Sequence, residues 1–173
     1  MNERVIVPPS ALVVLIGAAG SGKSTFAQKR FPPEAIVASD AIRRGPDGRR
    51  RNDVFDELHA LVHRRLEAGQ LTVVDATNTD WMRRSELIRS ARQFTRPTLA
   101  IVFALPLETC LAQNASRPEA VPRYTVKRQS GAVARDLDRL DLEGFSPVYI
   151  FRSPPQAASA TVEIEKGPVA PGL

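Results

Sequence analysis

Eight consecutive residues, Gly17-Ala18-Ala19-Gly20-Ser21-Gly22-Lys23-Ser24, fit the pattern G-x-x-x-x-G-K-[ST] with no position out of place. Each residue type has a chemical reason to be there. Glycines let the backbone curl until its N–H groups surround phosphate oxygens. Lys23 brings a point charge to β- and γ-phosphates, and Ser24 brings a hydroxyl to Mg²⁺. With Thr25 directly after it, this loop forms the candidate ATP-binding segment, and ATP and Mg²⁺ are the implied ligands.

Two further acidic residues stand at the ends of short apolar runs. Asp40 ends Ala35-Ile36-Val37-Ala38-Ser39, and Asp75 ends Leu71-Thr72-Val73-Val74. A carboxylate at the first place can accept a proton from an attacking hydroxyl, or orient that hydroxyl. It can equally cap the short helix expected over 41–44. Asp75 has the placement of an acidic residue that holds Mg²⁺ or its water, with Ser24 as the other metal candidate. Arg43 lies one helical turn beyond Asp40 and could bind an acceptor phosphate or carboxylate. Thr77 and Asn78 add polar groups, which makes Arg43 and Asn78 the acceptor-binding candidates. Arg117, Arg123, Lys127 and Arg128 cluster near the start of a long helix, where cations on a lid could stabilise transferring charge.

These residues need a frame, and the pattern of apolar runs supplies one. Strands are expected over 11–16, 35–38, 71–74, 99–105 and 145–151, alternating with helical patterns. The helices are expected from 24 to about 31, from the caps Asn52 and Asp53 to about 66, over 81–94, 106–114, and along a longer stretch through Val126, Val133, Leu137 and Leu140. This alternation predicts an α/β three-layer sandwich around a five-stranded, mainly parallel sheet. In such sheets ligands sit at the carboxyl ends of the strands, where the loop, Asp40 and Asp75 all fall. One domain is expected over 1–155. A Pro- and Ala-rich tail, 156–173, is expected to be loose apart from a short edge strand over 161–165. Trp81 is expected to pack beside Ile88.

With 173 residues, 43% hydrophobic and 25% charged, the chain has the composition of a globular protein. No apolar run approaches the roughly 18 residues of a membrane helix, so no membrane partner is expected. Cys110 is the only cysteine, which precludes an internal disulfide and fits a reducing, cytoplasmic setting. Its apolar neighbours mark it as a packing residue. His59 and His63, spaced i and i+4, lack a ligand cluster and read as partly packed side chains. The net charge of +5, with arginine supplying 20 of 24 basic residues, suits a polyanionic partner or reflects an arginine-rich genome. Arg49-Arg50-Arg51 is open to the same two readings.

Taken together, residues 11–155 resemble the kinase domain of bacterial polynucleotide kinase-phosphatases, within the P-loop phosphotransferase class. The resemblance rests on Leu12 to Phe26, Ser39-Asp40-Ala41-Ile42-Arg43, Asp53 to His59, Val74-Asp75-Ala76-Thr77-Asn78, Val121-Pro122 and Val126-Lys127-Arg128-Gln129. It implies a P-loop kinase fold with a helical lid and transfer of the ATP γ-phosphate to the 5′-hydroxyl of RNA or DNA. On that basis Asp40 would be the general base, Arg43 would hold the adjacent phosphodiester, and Arg117 would be a lid arginine on the γ-phosphate. The resemblance also implies possible end-healing or ligase partner modules. Two features depart from the family pattern. Pro118-Glu119-Ala120 replaces a second lid arginine, and Gln113 stands where a basic residue is common. Two rival readings remain: a phosphotransferase acting on a small hydroxylated molecule such as a nucleoside or antibiotic, and a non-catalytic NTP-binding switch.

Overall fold

The computed structural model describes residues 3–45 and 51–167. Its centre is a five-stranded parallel sheet made of β2 (Leu12–Gly17), β3 (Ile36–Ala38), β4 (Thr72–Asp75), β5 (Thr98–Phe103) and β6 (Val148–Phe151). The spatial order is β3-β4-β2-β5-β6. Burial on both faces explains why these strands read as continuous apolar runs rather than alternating ones. Along β2 the side chains divide between two cores. Val13 and Leu15 join one with Leu99, Ile101 and Phe103 of β5, while Leu12, Val14 and Ile16 join the other with Ala100 and Val102.

Helices cover both faces. On the first, Phe26 of α1 (Lys23–Arg30) meets Phe103 and Phe151 at 5.5 and 5.4 Å between ring centroids. Cys110 and Leu111 of α5 (Leu107–Ala115) and Val126 of α6 (Arg123–Asp136) pack beside them. On the second face lie α3 (Arg51–Glu67) and α4 (Trp81–Gln93), joined by Val133 of α6 and by Leu140 of the short helix α7 (Leu140–Glu143). His63 Nδ1 lies 2.8 Å from Ser90 Oγ and His59 Nδ1 lies 3.3 Å from Glu86, so both histidines tie α3 to α4. Burial lowers the pKa of His59, as expected of a packed imidazole.

The five predicted strands are all present, and the short helix α2 (Ser39–Arg43) follows β3. Two expectations need correction. The edge strand expected over 161–165 is present as β7 (Thr161–Ile164), but the residues before it are not loose: they form α8 (Pro154–Ser159), and Ala160 is fully buried. The strand β7 lies outside the main sheet. It pairs in parallel with β1 (Arg4–Val7), whose Val5 and Val7 are buried, as a separate two-stranded ribbon. Trp81 is 59% exposed, because α4 fills its inward stripe with Arg84, Leu87, Ile88 and Ala91 and leaves its first turn outside. The Arg49–Arg51 segment lies outside the described residues, apart from the backbone of Arg51 at the start of α3; the side chain of Asn52 lies outside them too.

Candidate active site

Strand register brings the candidate residues together. Leu15 of β2 and Ala38 of β3 both align with Asp75 of β4. The phosphate loop, Asp40 and Asp75 therefore emerge side by side at the carboxyl edge of the sheet, next to its central strand. The crevice there, about 980 Å³, is lined by the loop, α2, the end of β4, and the segment running from α5 into α6. That volume is at the upper end of what small-molecule sites occupy.

The loop owes its shape to two glycines with positive φ, Gly20 at +80° and Gly22 at +90°. A side chain at Gly20 would meet the Cys110 carbonyl at 2.3 Å, so the loop backbone lies directly on α5. At Gly22 nothing lies within 4 Å, leaving that side open for a phosphate to approach. Lys23 does not hang in solvent as a loop lysine might. It is 7% exposed, and its Nζ donates to the carbonyls of Gly17 and Ala18, both at 2.8 Å. Desolvation by this burial lowers its pKa to about 8, against the opposing pull of Asp75.

Asp75 is also buried, and desolvation raises its pKa, opposed by the neighbouring Ser24 hydroxyl and by Lys23. Among the described residues no group of three His, Cys, Asp or Glu side chains could hold a metal. One carboxylate and one hydroxyl beside a phosphate loop nevertheless fit Mg²⁺, which keeps waters and takes other ligands from substrate phosphates. The donor set and the open loop thus fit both ATP and the metal.

Across the crevice Asp40 is held by two guanidinium groups. Arg43 donates to Oδ1 at 2.8 Å, and Arg117 reaches Oδ2 at 3.4 Å. The helix α2 is capped by Ala38 without a side-chain bond, so Asp40 is not its cap residue. Arg43 accordingly faces Asp40 itself. A second pair, Arg44–Glu119 at 3.7 Å, links α2 to the same lid segment as Arg117. Thr25, Thr77, Gln113 and Arg128 line the crevice, while Arg123 and Lys127 are exposed outside its lining.

Asn78 does not point into this space. It is buried at φ +49°, and its Nδ2 donates to the Leu15 carbonyl at 2.7 Å, with weaker contacts to Val74 and Ala76. Its amide nitrogen is consumed in fastening β2 to the end of β4 and is not free to donate to an acceptor. Three residues without an assigned role also shape the site. Gln129 Oε1 accepts from the Ala19 N–H at 2.9 Å and ties α6 to the loop. Phe55 lines the crevice with the Arg83 guanidinium 3.5 Å from its ring centroid. Arg84, 1% exposed, donates to Glu143, Asp136 and the Asn78 carbonyl, joining α4, α6 and α7. No spacing rule identifies these contacts, which arise between elements far apart in sequence.

A parallel sheet with a phosphate loop after its central strand, an acidic residue on the neighbouring strand and a helical segment over the crevice defines the kinase-like P-loop fold. The chain belongs to the family whose model is described as an AAA domain, matched over residues 12–136. Among solved structures it is similar to a chain of the Pnkp1/Rnl/Hen1 RNA repair complex, with 20% identity and a TM-score of 0.65 over 82% of this chain. It spans about half (48%) of that chain's length. It is also similar to a gluconokinase from Sinorhizobium meliloti 1021, with 17% identity, a TM-score of 0.58 and 86% of each chain covered. Chaetomium thermophilum Kti12, solved with ADP-AlF3, has 16% identity and a TM-score of 0.58 over 85% of this chain and 93% of its own. Comparison with curated protein sequences returns no match. No helix among the described residues is long and apolar enough to cross a membrane.

Proposed function

We propose that this protein is an ATP-dependent polynucleotide 5′-hydroxyl kinase. The observation that carries the reading is Asp40, a carboxylate lining the same crevice as the phosphate loop and bracketed by Arg43 and Arg117. A switch that only binds nucleotide has no use for an acceptor base in that position. The arginines supply the second half of the argument, since a strand with a phosphate next to its 5′ end offers them a natural ligand.

In this reading Asp40 accepts the proton of the 5′-hydroxyl as that oxygen attacks the γ-phosphorus. The bond from the γ-phosphorus to the β–γ bridging oxygen breaks, and ADP leaves. Arg117 moves from Asp40 to the γ-phosphoryl oxygens, and Arg43 takes the phosphodiester beside the attacking nucleotide. Lys23 and the loop amides hold the β- and γ-phosphates. Ser24 and Asp75 would hold Mg²⁺, which neutralises charge on those phosphates when bound. The chain similar to this one within an RNA repair complex supports a nucleic-acid acceptor and partner modules of the repair type. The gluconokinase keeps a small hydroxylated acceptor as the competing reading.

The test is transfer of labelled γ-phosphate to 5′-hydroxyl oligonucleotides, offered beside nucleosides and sugar acids. Oligonucleotides should be labelled, and D40N should lower kcat by about 10²–10⁴-fold, the usual contribution of a general base. Labelling of a nucleoside or sugar acid in place of oligonucleotides would overturn the assignment.

A further inference from the structure

Tyr124 is 71% exposed, on the first turn of α6. The same helix buries Val126 and Val133, so the tyrosine sits away from its packed stripe. Three other large apolar side chains are strongly exposed among the described residues, namely Trp81, Met82 and Leu142. None of them lines the catalytic crevice, whereas Tyr124 does, with Phe55 from α3 and the cations Arg43 and Arg128. Arg128 is one helical turn beyond Tyr124, so ring and guanidinium share a face of the lid helix.

Building on the polynucleotide reading, we propose that Tyr124 is the platform on which the acceptor's 5′-terminal nucleobase stacks, with Arg128 as the cation for its backbone. The argument is one of matching chemistry. A crevice wall that alternates aromatic rings and guanidinium groups around a base suits a ligand that alternates bases and phosphates. A sugar acid has no planar face for the ring and needs only one anion partner. Base–aromatic stacking tolerates every base, so Tyr124 would fix the position of the terminal nucleotide without selecting its sequence. The exposure of the ring fits the same role: it contributes nothing to the core, and its area is available to a ligand.

The experiment compares wild type, Y124A and Y124F on three readouts. These are the KM for a 5′-hydroxyl oligonucleotide, the KM for ATP, and the anisotropy of a fluorescent oligonucleotide without ATP. Because the side chain is exposed, Y124A should fold normally. It should raise the oligonucleotide KM and Kd by about 5- to 100-fold, the range of a lost stacking contact, while Y124F stays near wild type. An oligonucleotide lacking its 5′-terminal base should bind wild type as weakly as Y124A, with no further loss in the variant. A Y124A defect confined to the ATP KM would place the ring on adenine and overturn the proposal. So would an equal Y124A penalty on the oligonucleotide with and without its terminal base. If wild type transfers phosphate to a sugar acid and to no oligonucleotide, the polynucleotide reading fails, and this assignment with it.

Discussion

Raising the pH from about 7 to about 9 is expected to strip the phosphate loop of its cation. Lys23 has a pKa near 8 because burial desolvates its ammonium. It is therefore about nine-tenths charged at pH 7 and about one-tenth charged at pH 9. If nucleotide binding requires the ammonium, affinity should fall about tenfold over that interval, equivalent to about 1.4 kcal/mol. Phosphates close to Nζ favour its charged form, so binding at the higher pH should also take up a proton. Calorimetric titration with a non-hydrolysable ATP analogue, in two buffers of different ionisation enthalpy, reads both effects. K23A should bind weakly and without this pH dependence. Stability does not confound the measurement. The folded pKa of Lys23 lies below its ordinary value of 10.5, so the unfolded chain binds the extra proton between those values. This group's contribution to stability then rises with pH across the window. Equal affinity at both pH values, or the same slope in K23A, would refute the assigned role of the lysine.

The two loop glycines should separate stability from nucleotide binding. G20A places a methyl 2.3 Å from the Cys110 carbonyl at φ +80°, and should cost about 2–4 kcal/mol in urea denaturation. G22A meets no neighbour and should cost only the left-handed strain, about 1–2 kcal/mol, yet weaken nucleotide binding more than G20A does. The reverse ranking would contradict the geometry. R84A removes the buried partner of Glu143 and Asp136 and should cost about 3 kcal/mol. That is the low end for a broken buried pair, because the two carboxylates keep 21% and 13% exposure and Asp136 retains Arg135. A loss below about 1 kcal/mol would show that the network is not a structural hub.

What the sequence revealed and what it concealed follow from the range of the forces involved. The phosphate loop is legible because its function depends on local backbone geometry, which glycine types and spacing encode directly. The strands are legible because burial on both faces leaves uninterrupted apolar runs such as Leu12–Ile16. Asp40 and Asp75 follow once the strand ends are known, since parallel register sets Ala38, two residues before Asp40, beside Asp75. The β1 strand escapes notice because its four residues become a strand only by pairing with Thr161–Ile164, more than 150 positions away. Asn78 misleads for a related reason. A polar residue just after a strand suggests the crevice, and only the three-dimensional path shows its amide turned back onto the Leu15 carbonyl. Trp81 misleads in the opposite sense, since its helical spacing from Ile88 suggests the core but Arg84 fills the inward position. A buried arginine is improbable in a sequence window until two distant carboxylates neutralise it, and Asp136 and Glu143 lie on elements more than 50 residues away. Chemistry carried by a single loop can therefore be read locally. The contacts that set the lid over it, Gln129 to Ala19 and Arg117 to Asp40, form between elements that only the folded chain brings together.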